Sequence, residues 1–210
     1  MQNDYSELSQ IITRLRRFVP ALGLASIAAM PLPARADTIT PPAVPGNLVV
    51  EAPHVPFLRA RGVGTQNYVC VPVGTGVGFV LFTPQATLLD DELDAVTTHF
   101  FGPNPDENRV IRAAWQHNKD ASTVWGRVKE FSFDANFVTP GAIPWLLVET
   151  KGVEPGPSGG GKLTRTTFIQ RVDTVGGAAP ADQCRSTADL GRTAFVPYEA
   201  DYVFYKDPTR

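Results

Sequence analysis

The sequence is poor in the side chains that carry most catalytic and metal chemistry. It contains three histidines, His54, His99 and His117, and no two of them stand at a metal-binding spacing such as HxxxH or HExxH. Ser122 has no GxSxG context, and the glycine-rich residues 154–161 lead into a β-type run instead of a helix. The sequence therefore does not indicate a zinc protease, a serine hydrolase or a P-loop nucleotide site.

The sequence also lacks clustered basic residues. It has 19 basic and 21 acidic residues, a net charge of −2. Removing residues 1–36 takes away four basic and two acidic residues, which leaves 15 and 19 and a net charge of −4. Nucleic acid and anionic lipid both need clustered Lys and Arg, so neither is predicted as the main partner.

No apolar run reaches the roughly 20 residues that a membrane-spanning helix needs, so no membrane span is predicted. The N-terminus carries three arginines between positions 14 and 17, then an interrupted apolar run over 18–32, then Ala34-Arg35-Ala36. A basic region, an apolar core and a small-x-small site form the layout of a secretory signal peptide. We predict cleavage after Ala36 and export, to the periplasm or the cell exterior.

Cysteine is scarce, with only Cys70 and Cys184 in the chain. An exported protein with an even number of cysteines usually pairs them. A metal or redox site is the competing interpretation, but two cysteines without a CxxC spacing give it weak support. We therefore predict one disulfide between these two residues.

The residues that follow the predicted signal peptide suffice for one domain with a sizeable core. Residues 37–60 are rich in proline and are predicted to form an extended arm that lies on the domain. Residues 61–210 form a β-rich domain whose strand segments are bounded by turn residues. The predicted fold class is all-β, a single-domain antiparallel sandwich or barrel with long loops and one disulfide. The predicted strands cover residues 67–73, 78–83, 95–101, 109–116, 123–133, 143–150, 163–172 and 202–205.

Six stretches of this domain, taken in order, resemble the recurring pattern of a known family. They are GTQNYVC at 64–70, PQATLLD at 84–90, THFFGP at 98–103, Trp115 with DASTVWG at 120–126, IPWLL at 143–147, and IQRV at 169–172 continuing to VPYEADYVFY at 196–205. The family is domain of unknown function 3455, secreted proteins of bacteria and fungi. The resemblance implies export, a bridge between the two cysteines and a strand-rich layout, and it implies no activity.

The chain departs from the family pattern at one turn. Where the family has Asp-Gly-Ser, this sequence reads Asp120-Ala121-Ser122. Glycine suits a left-handed turn and alanine suits it poorly, so the departure puts the geometry of this turn in question.

The most chemically suggestive pair is His99 and His117, which fall in consecutive predicted strands. Such strands usually pair, so the two rings can face one cavity and form a two-His, one-carboxylate set with Asp120 or Glu149. The alternative, which we favour, is that His99 is hydrogen-bonded within the sheet and that His117 lies in a solvated turn. Most tryptophans of a small β-domain are core residues, although some can line a pocket. The candidate ligand pocket is His99, Trp115, His117, Asp120 and Trp145; no catalytic residue, metal site or cofactor is assigned.

Three functions remain open. The first is a non-enzymatic exported protein that binds a small apolar or aromatic ligand, or a cell-envelope component, in the mouth of the sheet layers. The second is a metal- or haem-dependent enzyme that uses His99 and His117. The third is a surface or matrix protein that self-assembles into oligomers through exposed strand edges.

Overall fold

The structure, a computed structural model, describes residues 39–209, so the predicted signal peptide and its cleavage site lie outside the described residues. Within this range the secondary structure is eight strands and three short 3-10 turns, Gly46–Leu48, Pro105–Glu107 and Thr187–Asp189. No helix of residues 39–209 has the length and apolar character to cross a bilayer. The strands are β1 (Val55–Val73), β2 (Gly76–Leu89), β3 (Ala95–Asn104), β4 (Val110–His117), β5 (Thr123–Ser132), β6 (Trp145–Glu154), β7 (Thr166–Gly176) and β8 (Thr193–Lys206).

The strands form one closed antiparallel barrel. Each strand is hydrogen-bonded to the next along the chain, and β8 pairs back with β1. The predicted all-β class is thus confirmed, and of the two predicted architectures the barrel is the observed one. β1 and β8 are longer than their predicted segments because they pair with each other from Val55↔Lys206 to Val69↔Thr193. Strand β1 therefore includes residues assigned from sequence to the proline-rich arm.

Two buried layers lie on opposite faces of the barrel wall. The alternation of a strand sends Leu146 and Val148 of β6 inward, whereas Trp145 and Leu147 face outward. On the outer face these two residues pack with Leu48, which is fully buried and belongs to the segment that precedes β1. The apolar run at 145–148 is therefore buried on both faces.

One end of the barrel is closed by packed loops. Leu163, in the connection between β6 and β7, is fully buried in the inner core beside Leu88, Val124 and Phe204. The neighbouring loop between β4 and β5 is fixed by Asp120, whose carboxylate accepts hydrogen bonds from four groups. The donors are the His117 ring at 2.9 Å, the Ser122 amide and hydroxyl at 2.9 and 2.7 Å, and the Lys162 amide at 2.8 Å.

These contacts also fix the glycine-rich connection that the sequence marks as irregular. Gly156 lies so close to Asp120 that a side chain there would overlap the Asp120 carbonyl group. Ala121, where the family pattern has glycine, adopts a left-handed φ of 57°. The turn thus keeps the left-handed geometry, and alanine carries a steric cost for it.

The disulfide lies at the other end, which we call the open end. Cys70 of β1 is bonded to Cys184, which is 114 residues away, so the predicted disulfide is confirmed. The bond ties the long connection between β7 and β8 to β1, and the Cys70 amide also donates to the Arg192 carbonyl at 2.8 Å. At this end β2 and β3 separate, since their ladder covers only Ala86↔His99 to Leu89↔Ala95.

We predict that the Cys70→Ser/Cys184→Ser double variant loses about 4–5 kcal/mol of unfolding free energy. The chain-entropy model gives this value for a closed loop of about 100 residues. Urea unfolding followed by tryptophan fluorescence measures the change. Wild-type protein under reducing conditions is the control and should match the variant; a loss below about 1 kcal/mol would contradict the entropic argument.

We predict that Ala121→Gly stabilises the protein by up to about 1 kcal/mol. The left-handed conformation costs alanine about 1–2 kcal/mol, and glycine offsets part of the gain through its more flexible unfolded chain. Ala95→Gly, at an exposed strand position, is the matched control and should destabilise. Equal losses in both variants, measured by thermal unfolding, would show that the strain at position 121 is negligible.

Candidate functional site

The barrel encloses a cavity of about 230 Å³ towards the open end. All eight strands contribute to its wall, which is mostly apolar. The segment between β5 and β6 lies along it and is held by the Ile143 amide, which donates to the Gly176 carbonyl at 2.9 Å. The cavity also reaches the gap where β2 and β3 separate. The lining residues are Gln66, Tyr68, Leu81, Pro84, His99, Phe101, Ala113, Trp115, Val128, Ile143, Pro144, Leu146, Val148, Ile169, Arg171 and Tyr202.

A stacked pair of rings forms one side of the cavity. His99 of β3 and Trp115 of β4 are cross-strand partners, with ring centroids 4.3 Å apart and ring planes within 7°. His99 Nδ1 lies 2.9 Å from the Ala114 carbonyl. Because a carbonyl can only accept, Nδ1 carries the proton, and Nε2 of the neutral ring is unprotonated and can act as an acceptor.

Burial keeps the His99 ring neutral. Removal from water lowers its pKa to about 3, against the smaller opposing effect of the hydrogen bond to Ala114. The positive charge of Arg171 lowers the pKa further. The ring is therefore an uncharged flat surface at neutral pH.

Two tyrosines of β8 add a polar group to this largely apolar interior. The hydroxyls of Tyr198 and Tyr202 are 2.9 Å apart, and both side chains are buried. Burial raises the pKa of each phenol, so both remain uncharged. The Tyr202 ring packs over β1 at Gly62, where a side chain would collide with it.

Arg171 of β7 is the charged residue of the cavity wall. Its side chain is buried, with 8% of its surface exposed, and its Nη2 donates to the Pro144 carbonyl at 2.9 Å. Its Nε has no hydrogen-bond partner among the described residues. No carboxylate of residues 39–209 forms an ion pair with it.

The five residues proposed from sequence fall into three places. His99 and Trp115 line the cavity together. His117 and Asp120 are bonded to each other in the turn at the closed end. Trp145 faces outward and packs against Phe137, with ring centroids 5.5 Å apart.

A metal set built on the two histidines is not assembled in the described chain. The His99 Nδ1 donates to a backbone carbonyl, and the His117 Nδ1 donates to Asp120. Residues 39–209 contain no group of three or more His, Cys, Asp or Glu side chains placed to hold a metal ion. Ser122 donates to Asp120 and accepts from the Leu163 amide, which gives its hydroxyl a structural role.

Sequence reasoning missed the polar residues of the cavity, chiefly Arg171, Gln66 and Tyr202. Arg171 follows the inward-facing Ile169 by two residues and therefore lies on the same face of a strand that the sequence predicts. An arginine at an inward position of an apolar strand is the signal that could have identified it. Using that signal requires knowing which face is inward.

The comparison with protein families agrees with the layout of the barrel. The model of the family described as protein of unknown function (DUF3455) matches residues 51–206, which include all eight strands. The chain belongs to this family. The resemblance found in the sequence is thereby confirmed. Neither a curated protein nor a solved structure matches the chain significantly.

The neutral state of His99 makes stability depend on pH. Its folded pKa, about 3, is below the unfolded value of about 6.5, so protonation favours the unfolded chain. This contribution is complete above pH 6.5 and is lost as the pH falls towards 3, at up to about 1.4 kcal/mol per pH unit. We predict that His99→Gln lacks this slope in urea unfolding between pH 6.5 and 4.

His54→Gln, a change in the segment before β1, is the matched control and should keep the wild-type slope. If His99→Gln and wild type lose stability in parallel, His99 is not the group responsible.

Proposed function

We propose that this protein is an exported binding protein for a small, mostly apolar or aromatic molecule, which it holds inside the barrel. The observation that carries the proposal is the cavity of about 230 Å³, lined by apolar side chains with a few buried polar groups. Ligand sites are commonly concave and apolar with a few placed polar groups, and eight-stranded barrels have room for one small ligand.

The size of the cavity sets the size of the ligand. An apolar cavity of about 150 Å³ accommodates benzene, so one of about 230 Å³ suits a molecule of about two fused rings. The stacked rings of His99 and Trp115 provide a flat wall for such a molecule. Flat aromatic surfaces favour offset or edge contacts with another aromatic ring.

Export is part of the proposal and rests on two observations. Residues 1–36 have the layout of a signal peptide. The Cys70–Cys184 disulfide is of the kind that persists in oxidising compartments outside the cytosol.

The two alternatives have less support. The enzyme alternative needs His99 and His117 to act together, whereas His99 lines the cavity and His117, which is not part of the cavity wall, is hydrogen-bonded to Asp120 at the closed end. Assembly through strand edges is restricted by the closure of β8 onto β1, although residues 76–85 of β2 lack ladder partners on β3. A protein that remains monomeric at high concentration would contradict the assembly alternative.

Filling the cavity tests the proposal. We predict that Ala113→Phe, at a cavity-lining position, lowers the affinity for the neutral probe 2-naphthol at least tenfold, because the new ring occupies the site. Binding is followed by quenching of tryptophan fluorescence. Ala95→Phe, at an exposed strand position, is the control and should bind like wild type.

Unchanged binding in a folded Ala113→Phe variant would place the probe elsewhere and contradict the proposal. Native against denaturing mass spectrometry of the exported protein complements this test. An additional native mass of a small molecule, absent from Ala113→Phe, would identify the natural ligand.

A further inference from the structure

We propose that the natural ligand is a compact apolar acid whose carboxylate binds Arg171. This inference rests on the proposed function and adds the chemical class of the ligand. The site consists of Arg171 together with the cavity-lining residues Gln66 and Trp115.

The first argument is the charge state of the cavity wall. The arginines of the described chain that form ion pairs with Asp or Glu have partly exposed side chains. Arg171 is more buried than these arginines, yet its hydrogen-bond acceptor is the Pro144 carbonyl, which carries no full charge. A buried charge without a counter-ion is costly, and a ligand anion would supply the missing partner. The paired arginines are Arg59, Arg61, Arg112, Arg127 and Arg192.

The second argument is the kind of hydrogen-bonding group left unpaired. Three cavity-lining residues each have a buried nitrogen without a partner, namely Gln66 Nε2, Trp115 Nε1 and Arg171 Nε. An indole N–H and a guanidinium can only donate. A ligand group that satisfies them must be an acceptor, and a carboxylate is the strongest acceptor that matches the planar guanidinium.

The third argument is that the titratable groups nearby do not compensate the charge. Burial holds His99 neutral and raises the pKa of the phenols of Tyr198 and Tyr202. Arg171 acts electrostatically on all three of these groups and also interacts with the Tyr202 phenol as a hydrogen-bond donor, which places them close to it. The positive charge therefore faces a neutral, largely apolar cavity.

The volume restricts the rest of the ligand. After a carboxylate is placed against Arg171, about 230 Å³ leaves room for a ring system but not for a long extended chain. The expected ligand is thus a small aromatic or cyclic acid.

The test compares two probes of nearly the same shape, 2-naphthoate and its neutral amide 2-naphthamide, by isothermal titration calorimetry at pH 7. Wild-type protein is expected to bind 2-naphthoate at least tenfold more tightly, since the charged pair forms in a desolvated site. In Arg171→Gln this preference should disappear while 2-naphthamide still binds. Arg127→Gln, which removes an exposed arginine of β5, is the matched control and should keep the preference.

The outcomes separate this inference from the proposed function. Equal binding of the two probes to wild type would overturn the acid inference and leave the binding function standing. A preference for 2-naphthoate that persists in Arg171→Gln would overturn the role of Arg171. Binding of neither probe, with 2-naphthol also inactive, would overturn the proposed function itself.

Since Arg171 also holds the Pro144 carbonyl, Arg171→Lys provides a second variant that keeps the positive charge. A point charge lacks the planar fork of arginine, so the preference for 2-naphthoate should be reduced but remain. Complete loss in Arg171→Lys, with 2-naphthamide binding also lost, would assign Arg171 a purely structural role and overturn the inference.

Discussion

The pairing of β1 with β8 is the contact on which the remaining structure depends. It joins the two ends of the described domain and turns an eight-stranded meander into a closed ring. Closure removes the open sheet edges that β1 and β8 would otherwise expose. It also fixes the inside of the barrel, because the Tyr202 ring can enter the interior only beside a residue as small as Gly62. The pairing of β1 with β8 thus determines both the shape of the interior and which side chains fit inside it.

The two ends of this closed ring differ in how their interior is filled. At the closed end large apolar side chains such as Leu88 and Phe204 meet Leu163, which a loop brings in from outside the strands. Asp120 holds that loop through hydrogen bonds to the adjacent turn and to the Lys162 amide. Towards the open end the wall includes a residue as small as Ala113, so unfilled volume remains. A cavity at one end is therefore a consequence of side-chain size.

The sequence was sufficient for strand content and the disulfide, because these depend on local pattern and compartment. It left open whether the turn at Ala121 keeps a left-handed geometry, which the structure shows. It was insufficient for the membership of the pocket. Trp145 and Leu146 are adjacent, yet one faces outward and the other lines the cavity. A shift of one residue in register exchanges the two faces, and β5 and β6 contain such shifts in their ladder. Local pattern does not reveal these irregularities. The ladder between β7 and β8 contains two more, so the inward position of Arg171 also remained hidden.

Arg171 is the residue that the stability of the barrel alone does not explain. A buried charge without a counter-ion is costly, so the stability of the fold gives no reason for a guanidinium inside. Its hydrogen bond to Pro144 steadies the segment beside the cavity but leaves the charge uncompensated. Under the proposed function, the charge of Arg171 is uncompensated only while the cavity is empty, and an acidic ligand supplies the counter-ion when it binds. Ligand binding and folding stability are then coupled through the same side chain, because a ligand that binds the native state stabilises it.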